Sequence, residues 1–422
     1  MQVSSGLVSS GLGRRALLGT GAATLLAPGM QRPARAQKGD TLRIGVLTDL
    51  SGAYKDITGQ NGAICAEQAV LDFGAAERGI KVEVLLADHQ HRPDVGLNIV
   101  RQWFDQGDVD VVMDAGQSAI ALAVNGLVTE RNKLHLNTGA ASSELTGRQC
   151  SPNTIHWPYD TWCNANSTAR SLVRAGGKRW FFLVADYSFG KTMQADATRM
   201  IEAEGGEVVG AALHPFPGNT DFSSYLIQAR ARRADVLALA NAGTDMLNCV
   251  KQAAEFGLNR QGIRIAALVA FIQDVKALGL NVAQGLTLTE TFYWDLNDRT
   301  RAFTQRVRPR LANGNYPNMD HASAYSATLH YLKVVAEMGV ARAKADGRAV
   351  CAAMKAMPTD DDCFGRGLIR ADGRKIHPAY LFEAKKPEES SGPWDLLKLV
   401  GTTPADQAFR PIADGGCKLV TG

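Results

Sequence analysis

The sequence predicts an α/β protein of two similar lobes, each a mostly parallel sheet flanked by helices. Short β-rich runs alternate with helical patterns along most of the 422 residues, which is how parallel sheets covered on both faces are written. The stretch Val109 to Thr146 reads as a buried strand (109–113), a small-residue turn (114–118), a helix (119–131), a second strand (134–137) and another small-residue turn (138–143). A unit of the same form recurs at Ala234 to Leu258, with an apolar strand, the turn Ala242-Gly243 and a helix. Two such units far apart in one chain imply two lobes.

The first 36 residues stand apart. Arg14 and Arg15 precede an apolar run, Ala16 to Pro28, and Ala34-Arg35-Ala36 before Gln37 fits a small-residue cleavage site. This is the form of a twin-arginine export signal, so a periplasmic mature protein is expected. The apolar run is too short and too rich in Gly and Ala to span a membrane. Of the 46 basic residues four lie in this segment, and none of the 42 acidic ones do, so the mature part is balanced in charge. Such a chain has no electrostatic footprint for nucleic acid, and none is expected as a partner.

From residue 42 the elements follow in order. Strand 42–48 ends in the turn 49–54, helix 61–78 leads to strand 81–87, and Pro93 opens a helix reaching Gln106. After the opening unit, Cys150 to Asp160 carries two prolines and little periodicity and reads as a crossing to the other lobe. The alternation restarts with strand 180–185, the turn 187–190, helix 191–204 and strand 207–213. Asp221 is placed to cap the helix reaching Arg230. Strands 263–268 and 285–289 follow, then a second crossing at 290–295, helix 299–311 and the long apolar helix 321–338. Strands at 367–370, 379–384 and 395–399 form a closing unit. The expected organisation is residues 1–36 as signal, 41–155 with 300–345 as lobe 1, and 160–290 with 358–400 as lobe 2.

Seven cysteines, at 65, 150, 163, 249, 351, 363 and 417, leave at least one thiol unpaired, and Cys150 with Cys417 and Cys351 with Cys363 are candidate pairs. No C-x-x-C unit supports a zinc site. His89 and His91 beside Asp88 form an H-x-H loop, but no further His or Cys cluster completes a metal site, and a polar loop at a cleft rim is the plainer reading. Asp360-Asp361-Asp362 reads as a solvated turn. No nucleophile elbow, P-loop or dinucleotide fingerprint stands at a strand end, so neither catalysis nor a cofactor is expected.

The chemistry the turns offer is anion binding. Open α/β sheets bind ligands beyond the carboxyl ends of their strands, where helix N-termini leave N–H groups unpaired. A carboxylate gains roughly 0.3–1 kcal/mol from a helix dipole there. Gly116, Ser118, Gly139 and Ala140 leave room for its approach.

Several short motifs occur in a shared order: IGVLTDLSGAY (44–54), ALAV (121–124) after Gly116-Gln117-Ser118, SELTG (143–147), FFLVADYSFGKT (181–192), DFSS (221–224) and KQAAEFGL (251–258). On these the chain resembles the periplasmic solute-binding proteins of ABC importers, in the group similar to the leucine/isoleucine/valine-binding protein. The resemblance implies a two-lobe periplasmic-binding-protein fold joined by three crossovers, which closes on a small molecule and hands it to an inner-membrane permease. A monomer is expected. In that family a Ser of the first turn and a hydroxyl of the second hold the ligand carboxylate and amine. Ser118 matches the first, whereas the second falls on Ala141. The acid used for the amino group falls near Val269-Ala270-Phe271, where no acid stands, and the aromatic of the later turn falls on Phe189 in place of a Tyr.

These departures turn the expectation toward a small carboxylic acid with an aromatic or apolar body, with an amino acid as the second choice. The expected ligand-binding residues are Tyr54, Gln117, Ser118, Gly139, Ala140, Ala141, Tyr159, Phe189, Asn241 and Phe271. Two alternatives are a sensor that uses the same cleft to signal, and a metal-dependent periplasmic enzyme built on Asp88, His89 and His91.

Overall fold

The computed structural model describes residues 39–420, so the expected export signal lies outside the described residues. The first sheet is built from β1 (Thr41–Thr48), β2 (Lys81–Asp88), β3 (Val111–Asp114), β4 (Leu134–Asn137) and β5 (Thr154–His156). Its order is β2-β1-β3-β4-β5, and every pairing is parallel. Helices α1 (Gly59–Phe73), α2 (Pro93–Asp105) and α3 (Ser118–Arg131) make the crossovers. Strands β3, β4 and β5 are buried along their whole length, as apolar runs covered on both faces must be.

The second sheet holds β6 (Arg179–Ala185), β7 (Glu207–His214), β8 (Val236–Ala240), β9 (Arg264–Ala267) and β10 (Thr287–Glu290). After the two-residue strands β11 (Leu368–Ile369) and β12 (Lys375–Ile376), which pair only with each other, β13 (Ala379–Ala384) and β14 (Leu397–Thr403) complete it. The order is β14-β13-β10-β9-β8-β6-β7, with β13 and β14 antiparallel to their neighbours. Two sheets of mostly parallel strands flanked by helices thus form the two-lobe architecture. The helix Met319–Met338, buried along most of its length, packs on the first-sheet side against α1.

Local chemistry moved several boundaries. Helix α1 stops at Phe73, five residues before the expected Arg78, because Gly74 takes the left-handed conformation and returns its N–H to the Leu71 and Val70 carbonyls. The segment expected to be an irregular crossing contains β5, too short to show a period. Asp221 does not cap the helix directly: that helix is Ser223–Ala231 with Phe222 at its cap, and Asp221 accepts from the Ser223 N–H and hydroxyl one residue earlier. Helical segments at 161–174, 340–345 and 347–356 were not expected.

Cys150 and Cys417 are bonded, with Cα atoms 5.6 Å apart. Cys351 and Cys363 are not a pair; both are free and buried. The acidic run is not wholly solvated either. Asp361 is buried, accepts from the Cys363 and Phe364 N–H groups and takes the Ser326 hydroxyl at 2.6 Å. Among the described residues no helix is long and apolar enough to cross a membrane.

Candidate ligand-binding site

The turns after β1, β3 and β4 face those after β6, β8 and β9, and together they enclose a cavity with about 310 Å³ of atom-free space. Seven of the ten expected residues line it: Tyr54, Ser118, Gly139, Ala141, Tyr159, Phe189 and Phe271. Their positions follow from topology. Each stands at or just beyond the carboxyl end of a parallel strand, or in the crossing after β5.

Three expected residues do not line it. Gln117 is turned back on its own helix, where its side-chain oxygen accepts from the Ile120 N–H at 2.9 Å and caps α3. Ala140 cannot offer its backbone: Asn137 takes the Ala140 N–H at 3.0 Å and donates to its carbonyl at 2.7 Å. Asn241 lies behind the wall with its amide 3.2 Å from Nε2 of His214, and the adjacent Ala242 faces the cavity instead.

Other lining residues were not anticipated, among them Ile57, Thr58, Tyr187 and Asp320. Tyr187 obeys the strand-end rule that found Phe189. Asp320 has no such signal, because it enters from the first turn of the helix Met319–Met338, more than 170 residues beyond the turns of the first sheet.

Several contacts join the two sides over the cavity. The Tyr54 and Tyr187 hydroxyls are 2.6 Å apart, the Thr244 N–H points to the Ala53 carbonyl at 3.4 Å, and Asn318 donates to Gln273 at 3.0 Å. Tyr187 stacks on Phe216 at 4.7 Å between centroids, and Tyr159 meets Phe271 edge-on at 5.9 Å. Burial, with Tyr187 beside it, pushes the Tyr54 phenol well above its ordinary range, so it stays protonated and available for hydrogen bonding.

The histidine loop braces this wall. His91 Nε2 lies 2.5 Å from Asp49 Oδ2, and Asp49 also accepts from the Gly52 and Tyr54 N–H groups at 2.6 and 2.7 Å. Burial alone would raise the Asp49 carboxyl, but the His91 hydrogen bond and charge and the two backbone donors outweigh it and bring it down to about 2. The His91 N–H is directed at Nδ1 of His89, 3.1 Å away. Among the described residues no group of three or more His, Cys, Asp or Glu is disposed to hold a metal ion.

Beneath the first-sheet turns lie acids. Asp114, at the end of β3 with φ 73°, is buried, and a Cβ on Gly139 would run into its carboxylate. Glycine at 139 is therefore required by the close approach of an acid as much as by any ligand. Burial pushes Asp114 up to about 7. Asp320 and Glu290 are displaced upward in the same way, each by burial first and then by neighbouring acids. No Lys, Arg or His lines the cavity.

The comparisons agree with this architecture. A family model described as periplasmic binding protein matches residues 41–392. A periplasmic binding protein from Burkholderia mallei is 41% identical, with a TM-score of 0.86 over 90% of this chain and 100% of that one. A periplasmic ligand-binding protein of a branched-chain amino acid ABC transporter from Burkholderia xenovorans LB400 is 36% identical, with a TM-score of 0.79 over 90% of this chain and 99% of its own. The Leu/Ile/Val-binding protein homolog 6 of Brucella melitensis is 25% identical over 373 residues, 85% of this chain and 91% of that protein. All are binding proteins rather than enzymes. With two facing, mostly parallel sheets and a cavity at their strand ends, the chain belongs to the periplasmic binding protein family, as a substrate-binding protein that delivers small molecules to an ABC permease.

Proposed function

We propose that the ligand is a small carboxylic acid with an aromatic or amino-acid-like body, bound by closure of the lobes 41–155 with 300–345 and 160–290 with 358–400. The observation that carries this reading is the composition of the cavity wall. Tyr54, Tyr159, Tyr187, Phe189 and Phe271 surround the space between the facing turns. Aromatic faces of this number offer a large apolar contact with edge-on or stacked geometry for a planar guest.

Ser118 opens α3 at one end of the cavity, and Gln117 already satisfies the Ile120 N–H, so the N–H groups of Ser118 and Ala119 are those directed past the helix end. A carboxylate there needs no cationic side chain. Closure follows from contacts that exist only when both lobes meet the guest, and the permease reads the closed shape.

Titration calorimetry against aromatic acids, aliphatic acids and amino acids tests the reading, together with mass spectrometry of whatever small molecule is released on denaturation. Micromolar or tighter binding of an acid is expected; silence across the panel would overturn it. The route to the periplasm we assign to the twin-arginine pathway on Arg14 and Arg15, and replacing both with Lys is expected to leave the protein in the cytoplasm.

A further inference from the structure

We infer that Asp320 reads a hydrogen-bond donor on the ligand, so that the site selects a carboxylic acid carrying an amino or hydroxyl group over the same acid without one. The inference rests on the organic-acid reading above and narrows it.

Asp320 is the second residue of the helix Met319–Met338. An acid in a first turn is ordinary, because it complements the helix dipole. Such an acid is usually solvated or engaged in capping, and Asp320 is neither. The capping is done by Asn318, whose side-chain oxygen accepts from the Asp320 and His321 N–H groups, each at 3.0 Å. The Asp320 side chain is left to line the cavity, with the residue 3% exposed and neither carboxylate oxygen meeting a protein donor.

The groups around it do not neutralise it. Asp114 from β3 and Glu290 from β10 both act on it as like charges. His321 beside it is held neutral by burial, with Nε2 3.1 Å from the Thr58 carbonyl and Nδ1 accepting from the Asn318 N–H at 3.3 Å. Burial first, and then the two acids, push the Asp320 carboxyl well above its ordinary range. A buried carboxyl whose oxygens lack partners is costly, and native proteins rarely tolerate one without a use for it.

A donor on the ligand supplies the missing partner. An acid of the same shape without that donor leaves Asp320 unsatisfied, and a site built around a polar contact rejects the analogue lacking it far more strongly than it rejects a missing methylene. Hydroxyl and ammonium can be told apart. An ammonium needs the charged carboxylate for its full gain, whereas a hydroxyl needs only an acceptor oxygen.

The test is calorimetry on matched pairs: phenylalanine with 3-phenylpropanoate, 4-hydroxybenzoate with benzoate, and leucine with 4-methylpentanoate. In the wild-type protein the donor-bearing member of one pair is expected to bind about a hundredfold tighter or more. Asp320→Ala is expected to shrink that preference below about tenfold, while the donor-free member binds as well as before or better. Asp320→Asn keeps the shape and an acceptor, so it retains a preference for hydroxyl and loses one for ammonium, and it serves as the folded control. Equal binding within every pair, or a preference that survives in Asp320→Ala, overturns the inference and leaves the organic-acid reading standing. Binding by no member of any pair overturns both.

Discussion

The hydroxyls of Tyr54 and Tyr187 meet at 2.6 Å above the cavity, one brought by the loop after β1 and the other by the turn after β6. Tyr54 is buried and Tyr187 partly buried, and each is the other's partner across the two sheets. Either Tyr54→Phe or Tyr187→Phe therefore leaves one hydroxyl unsatisfied, at a cost of about 1–3 kcal/mol. Ligand affinity is expected to fall about fivefold to a hundredfold in each single variant, while the double variant loses less than the two losses combined. A double-mutant cycle by calorimetry checks this, and strict additivity would show that the hydroxyls are not coupled.

Gly243 lies where the backbones of the two sides come close together. It opens the helix after β8 with φ 61°, and a Cβ there would collide with the Ala53 carbonyl and sit 2.8 Å from the Tyr54 ring. Gly243→Ala is expected to prop the lobes apart. Small-angle scattering in the presence of ligand should show a larger radius than for the wild type, with affinity reduced tenfold or more; unchanged closure would refute the steric argument.

Stability should fall between pH 6.5 and 7.5. Burial raises Asp114 and Asp274 to about 7 and Asp245 to about 6, whereas in the unfolded chain these groups ionise near 3.8. The folded state then binds more protons than the unfolded one, so the contribution is full below pH 3.8 and is lost as pH rises through 7. Buried histidines work the other way at lower pH. His89, His321 and His330 are lowered by burial to about 4, so stability rises with pH from 4 to the unfolded value of 6.5, and the buried Lys375 amine, lowered to about 8, makes it rise again from there. Urea denaturation should show a loss of about 1–2 kcal/mol over that interval. Asp114→Asn, which suits the left-handed backbone at 114, should reduce it by about half, leaving the Asp274 contribution.

The thiols should be silent until the protein unfolds. Cys65, Cys163, Cys249, Cys351 and Cys363 are free and buried, and burial raises each thiol above its ordinary range. Ellman's reagent is expected to label none of them in the native protein and all five after unreduced denaturation. Cys150→Ser with Cys417→Ser unties the C-terminal segment across 267 residues and should cost on the order of 2–4 kcal/mol of unfolding free energy, read by thermal or denaturant melts.

The fold class was legible because it is written locally. Alternating apolar runs mark β1, β6 and β8, small residues mark the turns that follow them, and Ala379–Ala384 emerges with the bounds its sequence implies. Local marks also placed Ser118, Gly139 and Phe189 at strand ends, which is why they line the cavity. Short elements escaped. Strand β5 has three residues, fewer than a period needs to show itself, and the helix at 161–174 changes from α to π winding midway.

By itself, then, the sequence determined the doubled α/β plan, the strand-end turns and the family resemblance, since each depends on residues close in the chain. Only the tertiary structure decided which member of each turn faces inward. Asn137 takes both backbone groups of Ala140, and His214 holds Asn241 away so that Ala242 lines the wall. It also decided that a carboxyl from residue 320 lines the same cavity as glycines 116 and 139. Side-chain direction within a turn and the meeting of distant helices are set by packing between elements, which no local pattern of residues encodes.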